Sequence, residues 1–336
     1  MVHLDPKMKF RGKMFDLVSI KKFYNLILTM SKLSKKCVWR LTRNDIYFIL
    51  TEIGTATASG LSGAGGGPIV WCHMEKDHFF QEYHMEGVTT QQPEIYLEFE
   101  PDRLARTLAA LKNSNAAKSL KIKLTRKHDC PCLSFEIELT SSGSMASLTT
   151  NATSSSVSYG GGSSRTCTHD VPVSLIPRSQ WCDFREPEML PFDVSIYLPD
   201  FKQLKHLTEK YKNLGHHFIV KANREGKMKF VLDADMINVV THFKHLEIPQ
   251  FDETQIRSKF PRARDLLNTS RETLSQTEDD FVSVRVELKR FNQFLSAEQV
   301  APKKVIANLI GGRMIHMFLI HDDITIQYFI PGILED

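Results

Sequence analysis

The residue types able to do chemistry are scattered along this 336-residue sequence, and few sit at a spacing that would let them act together. Cys130 and Cys132 flank a proline and Cys72 precedes His73, but neither pair has the C-x-x-C spacing of a zinc site. His216 and His217 open a strand-like run and read as a surface pair. Glu136 and Glu138 alternate along another such run, the pattern of a solvated strand face and not of an acid and a base facing one substrate. The run Gly63–Gly67 contains no G-x-x-x-x-G-K-[ST] phosphate loop, and Pro68 stands where G-x-G-x-x-G needs its last glycine. No catalytic residue, metal ligand or cofactor is expected, and the chain reads as non-enzymatic.

The remaining charged chemistry is cationic. Forty-three Lys and Arg against 39 Asp and Glu leave only +4 overall, yet the charge is unevenly placed. Four amphipathic stretches, residues 18–36, 101–113, 200–213 and 288–304, carry +5, +2, +2 and +3, so the rest of the chain is acidic. Their cations include Lys21, Lys22, Lys32, Arg103, Arg106, Lys202, Lys205, Lys289 and Arg290. One basic helix would be a solvated face; four sharing the bias in an otherwise acidic chain point to phosphates. Lys outnumbers Arg, and no Arg/Asn/Gln trio crowds one helix start, so the expected contact holds double-stranded DNA without reading its sequence.

The elements that must position these charges repeat. A strand, a helix and two further strands follow one another four times, with helix starts at 18, 101, 200 and 288. Ile20, Phe23, Ile27 and Met30 recur at helical spacing, as do Leu104, Leu108 and Leu111, and then Phe201, Leu204, Leu207 and Tyr211. Alternation over 94–98 and 282–288 predicts strands with one buried face. The fold class is α+β, in two similar domains of two β-α-β-β units each: 1–140, a flexible connecting loop at 141–168, and 169–336. Small, uncharged residues at 54–67 and 141–164, and mixed charges at 249–280, predict surface loops. The six cysteines read as reduced thiols of an intracellular protein, and no apolar run approaches the ~18 residues of a membrane span.

This layout resembles a subunit of a PCNA-type sliding clamp. More specific strings resemble the Hus-type subunit of the heterotrimeric (nine-one-one) DNA-damage checkpoint clamp: Met8-Lys9-Phe10-Arg11, Phe79-Phe80-Gln81-Glu82-Tyr83, Glu94-Ile95-Tyr96-Leu97-Glu98, His169-Asp170-Val171-Pro172, Asp193-Val194-Ser195-Ile196-Tyr197-Leu198-Pro199, and Gln327-Tyr328-Phe329-Ile330-Pro331. The resemblance runs in order from about Met8 to Pro331. It implies helices inside a ring around DNA and sheets outside. It also implies two other clamp subunits as partners, joined through edge strands at Leu133–Leu139 and Lys227–Asp233, and a separate ATP-using clamp loader. Repair and checkpoint proteins would dock by short peptides in an outer groove, with Ile46, Phe48, Tyr328, Ile330 and Pro331 as its residues. Location would be nuclear, with a cytoplasmic pool when unassembled, and no membrane is involved. Two alternatives stand beside this reading: a homotrimeric replication clamp, and an undetected nuclease or hydrolase. Residues 1–7 extend ahead of the usual start, and Arg257–Arg264 has the composition of an import signal or a solvated loop.

Overall fold

The computed structural model describes residues 8–51, 68–87, 93–112, 117–140, 164–187, 191–234, 237–249 and 281–333. The expectations for residues 1–7, 54–67, 141–163, 250–280 and 257–264 lie outside the described residues. The first half runs β1 (Lys9–Met14), α1 (Leu17–Leu33), β2 (Cys37–Leu41), β3 (Asp45–Thr51), β4 (Pro68–Glu75), α2 (Lys76–Phe79), β5 (Glu82–Glu86), β6 (Ile95–Phe99) and α3 (Pro101–Thr107). A 3-10 turn (Leu108–Leu111), β7 (Ala117–Lys127), β8 (Cys130–Thr140) and β9 (Ser164–Pro172) follow. After β10 (Ser174–Leu175) and a 3-10 segment (Arg178–Phe184) come β11 (Val194–Tyr197), α4 (Phe201–Tyr211), β12 (His217–Ala222), β13 (Met228–Ala234) and β14 (Ile237–Phe243). The second half ends with β15 (Val282–Glu287), α5 (Leu288–Phe294), a 3-10 turn (Leu295–Val300), β16 (Lys304–Ile310), β17 (Met314–Ile320) and β18 (Ile324–Pro331).

Three antiparallel sheets result. One has the order β5-β1-β7-β8-β9 and another β14-β13-β12-β15. The third, β10-β6-β2-β3-β4-β18-β17-β16-β11, spans both halves of the chain through the pairing of Val70–Met74 with Tyr328–Ile324. Its central strands are apolar on both faces, as in β17 (Met314, Ile315, His316 and Met317 all buried), because each face is covered. In the four-stranded sheet β13 alternates instead, with Met228, Phe230 and Leu232 inward and Lys229, Val231 and Asp233 outward.

The helices pack side by side on one face of the long sheet: α1 against α3 on one flank and against α5 and its following 3-10 turn on the other, with α4 beyond. Phe23 of α1 meets Trp39 and Phe48, which stack with centroids 5.4 Å apart. Phe218, Phe230, Phe291 and Phe294 fill the corresponding space in the second half.

Two expectations need correction. A connecting loop at 141–168 cuts through β9, which pairs with β8 from Thr140↔Ser164 to Cys132↔Pro172 and belongs with the first half. Only Val171 and the half-buried Cys167 of β9 turn inward among its described side chains, so the strand carries almost no apolar signal. The edges expected at Leu133–Leu139 and Lys227–Asp233 are interior, covered by β9 and β14 respectively. The open edges lie one strand further out, at β9 and β14.

Candidate nucleic-acid interface

Each basic helix presents its charge for a local reason. The Asp16 carboxylate caps α1, accepting from the Ser19 backbone N–H and hydroxyl at 2.8 Å, and these donors hold its pKa below the ordinary value. Starting there, Ile20, Phe23, Ile27 and Met30 fall on the buried face. What is left is a stripe of Val18, Lys21, Lys22, Asn25 and Lys32 facing away from the sheet. Lys32 sits in the last turn of α1, where a cation also suits the helix dipole. The helix ends at Ser34, so Lys35 and Lys36 of the expected 18–36 stretch lie beyond it. In α4, Asp200 caps the start by accepting from the Lys202 backbone N–H at 2.7 Å, and Leu204, Thr208 and Tyr211 are buried.

The structure brings all nine expected cations to exposed or half-exposed positions, and five of them have carboxylate partners among the described residues. Arg103 meets Glu100 at 2.6 Å and Arg106 meets Asp102 at 2.7 Å. Arg290 meets Glu287 at 3.1 Å. Lys22 pairs with Asp323 in the turn between β17 and β18, and Lys205 pairs with Glu298. Lys21 lies in the same stripe, half-exposed. Lys32, Lys202 and Lys289 are exposed and form no ion pair among the described residues. These three can meet phosphates without first giving up a carboxylate. The Arg103 and Arg106 pairs are open to water, each contributing little, and a phosphate competes with them readily. The Lys22 pair is more enclosed and ties α1 to the far half of the chain.

The expected peptide-groove residues point the other way. Ile46, Phe48 and Ile330 are 0% exposed and Tyr328 is 4%, all on the helix-facing side. There Phe48 stacks on Trp39, while Tyr328 packs on Phe294 and donates its hydroxyl proton to the Arg290 carbonyl. Pro331 is half-buried in β18 opposite Met314. Ile46, Phe48, Tyr328 and Ile330 therefore belong to the core and line no outer groove, whereas Pro331 shares the parity of Phe329 on the outer face.

The outer face of the long sheet carries the opposite parity: Val38, Ile49, Trp71, Tyr96 and Phe329, with Tyr47 beside them. Residues 176–187 and 191–192 lie across it. Trp181 donates its indole N–H to the Ile176 carbonyl at 3.0 Å, and Phe184 approaches Tyr96. Phe192 stacks on His316, planes 7° apart. Beneath it, Asn308 Nδ2 is 3.0 Å from His316 Nδ1, His316 Nε2 is 3.1 Å from Gln327 Oε1, and Gln327 Nε2 donates to Glu186 at 2.7 Å. This chain fits a neutral ring bearing its proton on Nε2. Burial drives the His316 pKa down to about 4. Sequence reasoning missed this strap; the signal available was Trp181 and Phe184, three apart in an otherwise polar run.

Among the described residues no group of three or more His, Cys, Asp or Glu could hold a metal, all six cysteines are free, and no helix is long and apolar enough to cross a membrane. Residues 8–334 match the family model described as Hus1-like protein. The human checkpoint protein HUS1 is 35% identical over 97% of this chain and 100% of its own length. The Drosophila melanogaster checkpoint protein Hus1-like is 25% identical over 97% and 99%. The Schizosaccharomyces pombe checkpoint protein hus1 is 24% identical over 93% and 92%. Among solved structures, the proliferating cellular nuclear antigen of Entamoeba histolytica superposes with a TM-score of 0.59, covering 97% of this chain and 99% of its own at 13% identity, which places the fold.

Proposed function

We propose a role for this chain from one premise: it belongs to the Hus1-like protein family. It is a checkpoint clamp subunit with the sliding-clamp fold. In the reading proposed here it closes a ring with two other clamp subunits and encircles double-stranded DNA in the nucleus, holding it without sequence preference. It works there as a scaffold, not as an enzyme, and recruits repair and checkpoint proteins.

The observation that carries this reading is the family match from residue 8 to 334, which leaves no half of the chain unaccounted for. Two features support it. The helices form one layer whose exposed side bears Lys32, Lys202 and Lys289, suited to weak, salt-sensitive phosphate contact. β9 and β14 each end a different sheet, one in each half of the chain, and leave an edge free for the kind of strand pairing that would close a ring. A separate loader that uses ATP would open the ring, because the sequence carries no phosphate-binding loop. Docking partners on the outer face would meet the strap of residues 176–187 and 191–192 before they meet the sheet.

The test is topological. The chain is co-purified with two companion clamp subunits, and the assembly is loaded on nicked circular DNA. A 1:1:1 complex that stays on the circle and slides off once the DNA is linearised is the expected result. A stable homotrimer of this chain alone, or retention that ignores linearisation, would overturn it. Metal-dependent DNA cleavage abolished by one acidic substitution would establish an enzyme instead.

A further inference from the structure

The faces that the two end sheets turn away from the helices differ in how they handle charge. On the five-stranded sheet Arg11 stands opposite Lys123, but Glu82 pairs with Arg11 at 3.3 Å and Glu136 with Lys123 at 2.8 Å. Like charges set opposite each other destabilise a sheet, and here carboxylates of the same face offset them. The four-stranded sheet has the same conflict without the acids. Lys221 stands opposite Lys229, which stands opposite His242, and neither lysine forms an ion pair among the described residues.

Two residues along the strands, about 7 Å away, the same face carries Ile219, Val231 and Val240, opposite one another across β12, β13 and β14. Phe218, Val220, Phe230 and Leu232 are buried on the helix side, so these three point away from it. Val240 is 43% exposed, and Ile219 and Val231 are half-buried. A further two residues on come Asp233, and Glu287 opposite His217. Three bands therefore cross the strands: basic, apolar and acidic.

Strands lie about 4.8 Å apart, so the apolar side chains recur across the sheet at close to the 5.4 Å pitch of an α-helix. A helix laid across the strands covers them with one apolar stripe at i, i+4 and i+7. Its two flanks then lie over the basic and acidic bands, and carboxylates on one flank remove the lysine–lysine conflict. An extended peptide running along the strands meets only one side chain of each band. We infer that this outward face of the four-stranded sheet docks an amphipathic helix of a partner protein, seated across β12, β13 and β14 with an acidic flank over Lys221 and Lys229. The inference rests on the scaffold reading above and gives it a site and a partner chemistry.

Peptide selection on the purified three-subunit ring tests it. The displayed library holds helices of about 16 residues with leucines at i, i+4, i+7 and i+11 and with both flanks varied among Glu, Ser and Lys. Helices with Glu along one flank should be enriched. Their affinity, measured by fluorescence anisotropy, should fall about tenfold or more on a ring carrying Ile219→Thr with Val231→Thr. Both positions stand off the open edge strand, and Thr suits a strand, so assembly and melting should hold. Lys221→Glu with Lys229→Glu should reverse the choice and enrich Lys-flanked helices. Selection without preference for Glu, or selected helices that bind either variant ring as before, overturns the inference alone. So does a Thr variant that melts normally but no longer assembles, which would make the apolar band a subunit contact. An unaltered chain that forms no ring with its companions overturns both the inference and the function it rests on.

Discussion

Trp181 lies stacked on Tyr96, ring centroids 4.6 Å apart and planes 25° from parallel. The contact joins a 3-10 segment to the outer face of the long sheet, so the chain covers with its own aromatic residues the surface on which a partner peptide would have to bind. Access to Val38, Trp71 and Phe329 is therefore governed by how firmly this strap is held.

Trp181→Ala removes the stack and the hydrogen bond to Ile176 while leaving the helix-side core untouched. The expected loss is about 1–2 kcal/mol, since the ring is only half-buried. It should appear as faster amide exchange across 176–187 with little change in the exchange of β2 and β3. Uniform acceleration through the whole sheet would mean that the strap is part of the global fold and not a separable cover.

Below the strap, His316 is uncharged at neutral pH because burial holds its pKa at about 4, against about 6.5 in an unfolded chain. A depressed histidine contributes stability that is fully present above 6.5 and lost as pH falls towards 4. The melting temperature should therefore drop through that window. His316→Gln, which keeps a donor and an acceptor but does not titrate, should flatten the drop. An identical slope in the variant would remove His316 as its source.

For the DNA surface, Lys32, Lys202 and Lys289 changed together to Ala should weaken binding of the assembled ring alike on any sequence. Every lysine that no longer neutralises a phosphate should lower the salt slope by about 0.9. Lys22→Ala should act differently: it leaves Asp323 without its lysine, so melting falls more than the salt slope does. If the triple variant kept affinity and slope unchanged, these helix faces would not be phosphate contacts.

At the edge, Ile237→Lys combined with Val240→Lys places charge on β14 where both side chains are exposed. Ring assembly, followed by light scattering, should fail while the isolated chain melts as before. Normal 1:1:1 assembly would move the subunit contact elsewhere.

Gly226 turns the chain between β12 and β13 at φ +79°, and a Cβ there would sit 2.4 Å from the Leu246 carbonyl oxygen. Gly226→Ala is expected to cost about 1–3 kcal/mol in urea denaturation, with the slope unchanged. Glu225→Ala in the same turn should be near neutral.

How much of this was legible in the sequence depended on what carried the signal. The helices were, because Ile20, Phe23 and Ile27 mark a single buried face. The strand β9 was not, since SRTCTHDVP turns so little apolar surface inward. The orientation of Phe48 and Tyr328 was illegible for a different reason. In β3 and β18 both parities are apolar, so alternation cannot say which side faces the helices and which the strap. The charge of the helices was read correctly as composition but too generously as field. Glu100 and Glu287 lie just outside the helical stretches in sequence and Asp323 in a distant turn, and all three are next to their cations in space.

The pairing of β4 with β18 sets an order on the making of the molecule. Val70 finds its partner on that side only in Tyr328, so on the ribosome the first half must wait, with one long apolar strand open along an edge, until almost everything that follows has been translated. During that interval β4 is an adhesive edge, and a chaperone or a pause in synthesis acts on it more than on any other strand of the long sheet. Cells short of chaperone capacity should therefore lose this protein to aggregation before it is complete, not after it has folded.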